Sequence, residues 1–310
     1  MKVQTHNGCF HTDELFAIAM LRILDPSIEI IRSRVIPEDL TDTILVDVGR
    51  IYDPDNLKFD HHQLDGPARP SGVKYASAGL IFKEYGTILI GKIIKDKTSP
   101  YISNIFDDFD KYLIVIDMID NGQSTNLILG DIITINRLVA SYVPIGRVYD
   151  QKSEDESFMK ILQIIQDFII STIARLHFKY EYASYAMAAL KKTIKDESQI
   201  IILHEAGPFV QTFTEYLEGV DLKIIPKVVI FPANEIDGNK SWMIRGLPKN
   251  SIDWAIILPC PIEWRGKTAD EFCQITGVEG SLFAHASGFL VGADTYEHAI
   301  TLAKKWVNEL

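Results

Sequence analysis

Cysteine is scarce in this 310-residue chain. The three present, Cys9, Cys260 and Cys273, are odd in number and far apart, which argues against a disulfide framework and against a Cys-x-x-Cys zinc site. Positive charge is in deficit as well: 31 Lys and Arg against 42 Asp and Glu leave a net charge of −11. Proteins that grip polyanions by bulk charge are basic, so contact with nucleic acid here must be local or mediated by metal. The acidic balance suits a protein that collects divalent cations. No apolar run approaches the ~20 residues of a membrane helix; "IILHEAGPFV" and "KVVIFPA" are broken early and read as buried strands. Internal repeats and low-complexity tracts are lacking too. "MKVQTHNG" has no apolar signal region, and strand-like sequence from residue 2 leaves no space for a cleaved leader. The expected location is the cytoplasm, with no membrane partner.

What is present reads as alternating strands and helices, hence an α/β layer with a parallel sheet. Residues 2–5 and "IEIIRSR" are strands, and "TILVDVG" suits a central parallel strand. "TDELFAIAMLRIL" is an amphipathic helix with Thr12 as its expected cap. "SAGLIFKEYGTILIGKII" and "ISNIFDDFDKYLIVIDMID" have helical spacing. From about Glu154 to Glu197 a helical pattern runs without Gly or Pro, as one long helix or two, and it reads as a connector. Beyond it, "QIIILHE", "DLKIIPKVVIFPA", "KSWMIRGLP", "DWAIILP" and "GSLFAHASG" are strand-like, and a final helix is introduced by Asp294 as its expected cap. At this length two domains are comfortable; they are expected over 1–195, including the connector, and 196–310.

Histidine is rare, eight in all, yet "KFDHHQ" sets two side by side after an aspartate. Four N-terminal segments place His or Asp at expected strand ends: His6, His11 and Asp13 in "THNGCFHTDE"; Asp47 in "LVDVG"; Asp60, His61 and His62 in "FDHHQ"; Asp117 and Asp120 in "VIDMIDNG". Loops after the carboxyl ends of parallel strands line the ligand crevice, so groups tens of residues apart can meet there. Mixed imidazole and carboxylate ligands suit Mn²⁺, Fe²⁺, Co²⁺ or Zn²⁺, and Mg²⁺ where carboxylates dominate. Two ions ~3.5–4 Å apart and bridged by one carboxylate would activate water and clamp a phosphate. Asp47, ending the most buried strand, is the best bridge. Taken singly each element has a blander reading. Asp after an apolar strand is usually a turn-former, His6 and His11 could be ordinary surface residues, and Asp120-Asn121-Gly122 is a good turn. The conjunction favours a metal site and leaves Asp117 and Asp120 undivided.

"THNGCFHTDE", "LVDVGRIYDPDNLKFDHHQ" and "IDMIDNG" resemble the Myg-type family (melanocyte proliferating gene one), related to the DHH phosphoesterases named for Asp-His-His. "GVEGSLFAHASGFLVG" is similar to that family's Gly-rich, His-containing C-terminal motif. The resemblance covers nearly the whole chain, and the middle helical region is its least diagnostic part. It implies a parallel-sheet DHH-type α/β domain and a smaller α/β DHH-associated domain, with a cleft between them. It also implies a two-metal phosphoesterase, usually manganese-dependent with Mg²⁺ as the alternative, acting as a 3′-to-5′ RNA exonuclease through an activated water. By motif position His6, Asp13, Asp47, Asp120 and His61 would be metal ligands, with His62 a ligand or proton donor. His11 stands, at slightly different spacing, where related phosphoesterases often carry Asp, and Glu279 where the C-terminal motif commonly has Gly.

On that reading His62 is the acid for the leaving oxygen and Asp60 orients an imidazole by accepting its other N–H. His285, Ser287 and Gly288 of "AHASG", together with Arg245 and Arg265, are the expected contacts to substrate. Lys240, Lys249 and Lys267 share that basic stretch, the first two reading better as solvated surface; Trp242 and Trp264 are base-stacking candidates or core aromatics. The expected partner is RNA or another oligonucleotide, and a homodimer is compatible with the sequence. The competing functions are a small-molecule phosphatase or pyrophosphatase, and a non-catalytic RNA-binding regulator that has lost its ligands.

Overall fold

The computed structural model describes residues 1–123, 134–145, 150–233, 240–253 and 255–308. The chain forms two compact units, Met1–His177 and Phe178–Leu310. They divide inside the long helix, whereas the domains expected from sequence divide after it.

In the first unit, strands β1 (Lys2–Thr5), β2 (Glu29–Arg32), β3 (Thr43–Val46), β4 (Tyr52–Asp53) and β5 (Lys58–Phe59) form one sheet in the order β2-β1-β3-β5-β4. The first four of that order run parallel and β4 closes the edge antiparallel. β3, "TILV", is buried at every residue, as a central parallel strand covered on both faces must be. Helices α1 (Thr12–Leu24), α2 (Ser77–Ile93), α3 (Ile102–Asp120) and α4 (Ile135–Tyr142) accompany this sheet. α1 is capped by His11, one residue before the expected Thr12, because Glu14 Oε1 reaches back to accept the His11 backbone N–H at 2.7 Å. Asp117 and Asp120 prove to lie at the end of α3, not at a strand end.

α5 (Gln151–Lys195) is one continuous helix. By length and composition it could cross a membrane, which corrects the expectation that no segment could. Much of its apolar surface has another use: Phe158, Ile161, Leu162, Ile165, Ile169 and Ile173 are fully buried in the first unit, and Tyr182, Ala186 and Leu190 join a core cluster of the second.

The second unit carries β6 (Ile200–Ile202), β7 (Val228–Pro232), β8 (Trp242–Gly246), β9 (Ser281–Ala284) and β10 (Leu290–Ala293) in the order β6-β7-β8-β10-β9. Only β6 and β7 are parallel. Helices α6 (Val210–Glu218), α7 (Ala269–Thr276) and α8 (Tyr296–Trp306) complete it. Thr295, rather than Asp294, caps α8, its hydroxyl accepting from His298 N at 3.2 Å. "DLKII" is not a strand. "DWAIILP" is not one either: its Ala255 and Ile257 return to Lys249 and Leu247 through single backbone bonds, and its Trp254 lies outside the described residues.

Candidate metal centre

The carboxyl ends of three neighbouring parallel strands define the site. β1 delivers His6, β3 delivers Asp47, and β5 delivers Asp60, His61 and His62. The start of α1 adds His11, Asp13 and Glu14, and the end of α3 adds Asp120. Asp47 takes a left-handed backbone (φ 55°), as do Gly49 (φ 103°) and Arg50 (φ 56°). Asp tolerates that region better than most side chains. The loop behind His6 is clasped by α5: Asn7 Nδ2 donates to Gln151 Oε1 at 3.0 Å and Gly8 N to Glu154 Oε2 at 3.1 Å. Arg32 spans from Gly8 O to Asp155.

Like His11, Asp47 belongs to two of the three groups of candidate ligand atoms. Its Oδ2 lies 3.3 Å from His6 Nε2, and its Oδ1 lies 3.3 Å from His61 Nε2 and 3.5 Å from His62 Nδ1. His6 Nε2 is also 3.3 Å from Glu14 Oε1, and His61 Nε2 is 2.9 Å from Asp120 Oδ2. Ligand atoms of His6, His11, Glu14 and Asp47 all lie within 4.8 Å of one another; so do those of Asp47, His61 and His62, and those of His11, Asp13 and Asp120. All six ligand candidates from the sequence are therefore brought together. Glu14 is the member that sequence reasoning left out, although it stands in the quoted "THNGCFHTDE"; the shared helical turn of α1 was the signal for it.

The electrostatics call for cations. Asp13 and Glu14 have no exposed surface, and among the described residues both Asp13 oxygens and Glu14 Oε2 have no hydrogen-bond partner. Burying unpaired carboxylates costs several kcal/mol each. Burial, then Asp47, Glu14 and Asp120, push the Asp13 carboxyl well above the usual range. Burial would depress His6 and His61, but Asp47 and Glu14 beside the first, and Asp120 and Asp47 beside the second, lift both to about 10. Burial also works against ionised Asp47, yet His6 and His61 hold its carboxyl below the ordinary range. The imidazole nitrogens of His6 and His61, each 3.3 Å from an Asp47 oxygen, and the crowded carboxylates leave positions that a bound cation would serve. The donor set, imidazole and carboxylate without thiolate, fits divalent first-row metals or Mg²⁺.

Around the cluster, His62 and Asp117 hold different posts. The His62 side chain is 55% exposed, and its Nδ1 is 2.8 Å from Asp60 Oδ1, a contact that raises the pKa of the ring. Asp60 is itself fixed by the backbone N–H groups of Arg50 (2.6 Å) and His62 (3.0 Å). Asp117 is outside the cluster. It accepts from Arg69 Nη2 at 2.6 Å and from the backbone of Ala76 and Gly79. A Cβ at Gly79 would overlap Asp117 Oδ2, so only glycine allows this approach. A cavity of about 460 Å³ opens over the cluster, lined by His6, His11, Asp47, His62, Asp120 and Arg34 together with apolar residues.

The residues expected to contact substrate in the second unit also assemble. His285, Ser287 and Gly288 form the turn joining β9 to β10; Ser287 N donates to His285 Nδ1 at 3.1 Å, and Gly288 (φ 73°) N donates to His285 O at 2.8 Å. Arg265 packs on Gly288 and donates from Nε to Cys260 O at 3.1 Å. Arg245 on β8 lies over the Phe289 ring. Trp264 is buried against Phe272 and is a core residue, while Lys267 pairs with Glu271 at 3.4 Å.

Residues 2–307 match the family described as "Uncharacterised protein family (UPF0160)", whose model carries the name MYG1_exonuc, and the chain belongs to that family. "MYG1 exonuclease" of Homo sapiens is 30% identical over 327 residues, covering 98% of this chain and 85% of its own. "MYG1 protein" of Dictyostelium discoideum is 29% identical over 325 residues, covering 100% and 97%. Among solved structures, RecJ in complex with Mn²⁺ from Thermus thermophilus aligns at a TM-score of 0.26 and 12% identity, over 99% of this chain and 52% of that one. This chain thus spans about half the length of that structure, and the likeness is too slight to inform the fold.

Proposed function

We propose that this protein is a metal-dependent phosphodiesterase that acts as a 3′-to-5′ exoribonuclease. The observation that carries the reading is Asp47, a carboxylate shared by two groups of ligand atoms beside the orphaned Asp13. The name of the human relative, an exonuclease, agrees with it. RNA as substrate and the 3′-to-5′ direction rest on the family resemblance of the sequence motifs.

Asp47 would be shared between an ion held with His6 and Glu14 and an ion held with His61 and Asp120, with Asp13 and His11 completing the set. Divalent ions, when bound, polarise phosphoryl oxygens and lower the pKa of water. The rest falls to the chain. His62, held by Asp60, is exposed enough to present its free ring nitrogen to a leaving oxygen, and its raised pKa keeps a proton available for donation. Arg34, with no carboxylate partner among the described residues, lines the same cavity and can grip a non-bridging oxygen with its fork of donors. His285, Arg245 and Arg265 are proposed to contact the substrate from the second unit.

The test is hydrolysis of a 5′-labelled RNA oligomer with added Mn²⁺, with a chelator control and with DNA and pyrophosphate in parallel. The reading expects a ladder shortening from the 3′ end that the chelator abolishes. Turnover of pyrophosphate alone would make the protein a small-molecule phosphatase, and metal binding without any hydrolysis would make it a non-catalytic member of its family.

A further inference from the structure

A second cavity, of about 380 Å³, adjoins the one over the metal centre. Arg34, Asp47 and His62 line both, while Arg50 and Asp60 line the second alone. The chemistry above leaves Arg50 without a task. The residue is exposed, and among the described residues its guanidinium has no carboxylate partner, although Asp47 and Asp60 line the same cavity. Its backbone is left-handed (φ 56°), directly after Gly49 (φ 103°). Residues other than Gly, Asn and Asp are uncommon in that region, and those held there cluster at ligand sites. Asp60 explains how Arg50 is held: its Oδ2 accepts the Arg50 backbone N–H at 2.6 Å, while its Oδ1 lies 2.8 Å from His62 Nδ1. One carboxylate thus fixes both the proposed acid and the backbone that carries the arginine.

A phosphodiester bears a substituent on each side of phosphorus, whereas a monoester bears one. Two cavities that share Asp47 and His62 give each side of a diester a place. In a nucleotide chain, the substituent that continues the strand brings the next phosphate with it. We infer that Arg50, together with Arg34, holds the phosphate adjoining the one cleaved, so that the second cavity takes the continuing strand. Both arginines are exposed to that cavity, and a guanidinium fork matches the oxygens of a phosphate. The inference rests on the phosphodiesterase reading, because the metal centre must hold the cleaved phosphate. It also supplies local positive charge for a strand in a chain whose net charge is −11.

The experiment is fluorescence anisotropy of a 5′-labelled six-nucleotide RNA, with phosphorothioate linkages that resist cleavage, on the full chain loaded with Mn²⁺. Two further probes carry one neutral methylphosphonate, at the second linkage from the 3′ end or from the 5′ end. The wild-type protein is expected to bind the fully charged probe at least about tenfold more tightly than the probe made neutral near its 3′ end. Arg50→Gly should narrow that gap several-fold and make the dependence of log K on log salt shallower by about 0.7. The variant should unfold no earlier than the wild type, because glycine takes a left-handed backbone freely. Should it fail to fold, Arg50→Gln supplies the same comparison. Wild-type binding that ignores both neutral linkages would overturn the clamp and leave the phosphodiesterase reading standing. A gap that the Arg50 variants leave intact would overturn the assignment to Arg50. Sensitivity at the 5′ position alone would keep the clamp and reverse the direction of attack. Binding of no probe would overturn both readings.

Discussion

Asp117 and Asp120 stand one helical turn apart on α3 and serve different ends: Asp117 Oδ2 takes the Arg69 guanidinium at 2.6 Å, while Asp120 Oδ2 lies 2.9 Å from His61 Nε2. The first is fully buried and ties α3 to the start of α2; the second faces the metal cluster. Three residues of helix are enough to turn one carboxylate into an anchor and the next into a ligand candidate.

Removing the anchor should therefore cost stability, and removing the ligand should cost metal. Arg69→Met leaves Asp117 buried without its counter-charge, and a broken buried pair is worth about 3–5 kcal/mol. Denaturant unfolding is expected to show a loss of that size. Asp120→Asn should unfold near the wild-type midpoint in chelator and take up less Mn²⁺ by elemental analysis. The reverse pattern would exchange the two roles.

Asp47→Asn keeps the shape of the side chain and removes the charge that two groups of ligands share. Hydrolysis should be abolished at saturating Mn²⁺ while cooperative unfolding persists. Near wild-type turnover would show that Asp47 bridges nothing.

Glu14→Gln tests the residue that the structure adds to the set. Its amide oxygen can still accept the His11 N–H, so the start of α1 should survive. Metal affinity is expected to fall by at least roughly tenfold, as changes at and around metal ligands do. Titration with Mn²⁺ measures it, and an unchanged affinity would return Glu14 to a capping role alone.

Asp60→Asn separates proton delivery from metal binding. The backbone N–H of Arg50 keeps an acceptor, but the His62 ring loses its charged partner. Turnover should drop roughly ten- to a hundred-fold with metal content retained. If metal is lost as well, Asp60 acts through the ligands and not through His62.

Metal itself should stabilise the fold, because it relieves the crowding of Asp13, Glu14, Asp47 and Asp120. At a free Mn²⁺ concentration of 100 times Kd the gain is about 2.7 kcal/mol. Thermal unfolding with and without chelator reads it directly. The shift should shrink in Asp47→Asn, and a wild-type protein whose Tm ignores Mn²⁺ would argue against the site.

The sequence by itself determined the elements whose signals are local. Continuous apolar "TILV" suited a covered central strand, the absence of Gly and Pro marked the α5 region as helical while leaving one helix or two open, and the histidines and aspartates of the quoted motifs announced their chemistry in the order the chain presents them. Asp47 stood out as the bridge candidate because it ends that strand. What the sequence left open were relations between distant segments. The partners that make Asp117 an anchor and Asp120 a ligand candidate, Arg69 and His61, and the Asp47 that meets His6 beside Glu14, come from segments tens of residues away. "DWAIILP" has the composition of a strand, but in the fold two single bonds to the chain just before it took the place of a ladder. Local pattern decides which face of an element is apolar; only tertiary packing decides which polar groups are buried together, and in this protein that burial sets the charge and the protonation of the metal centre.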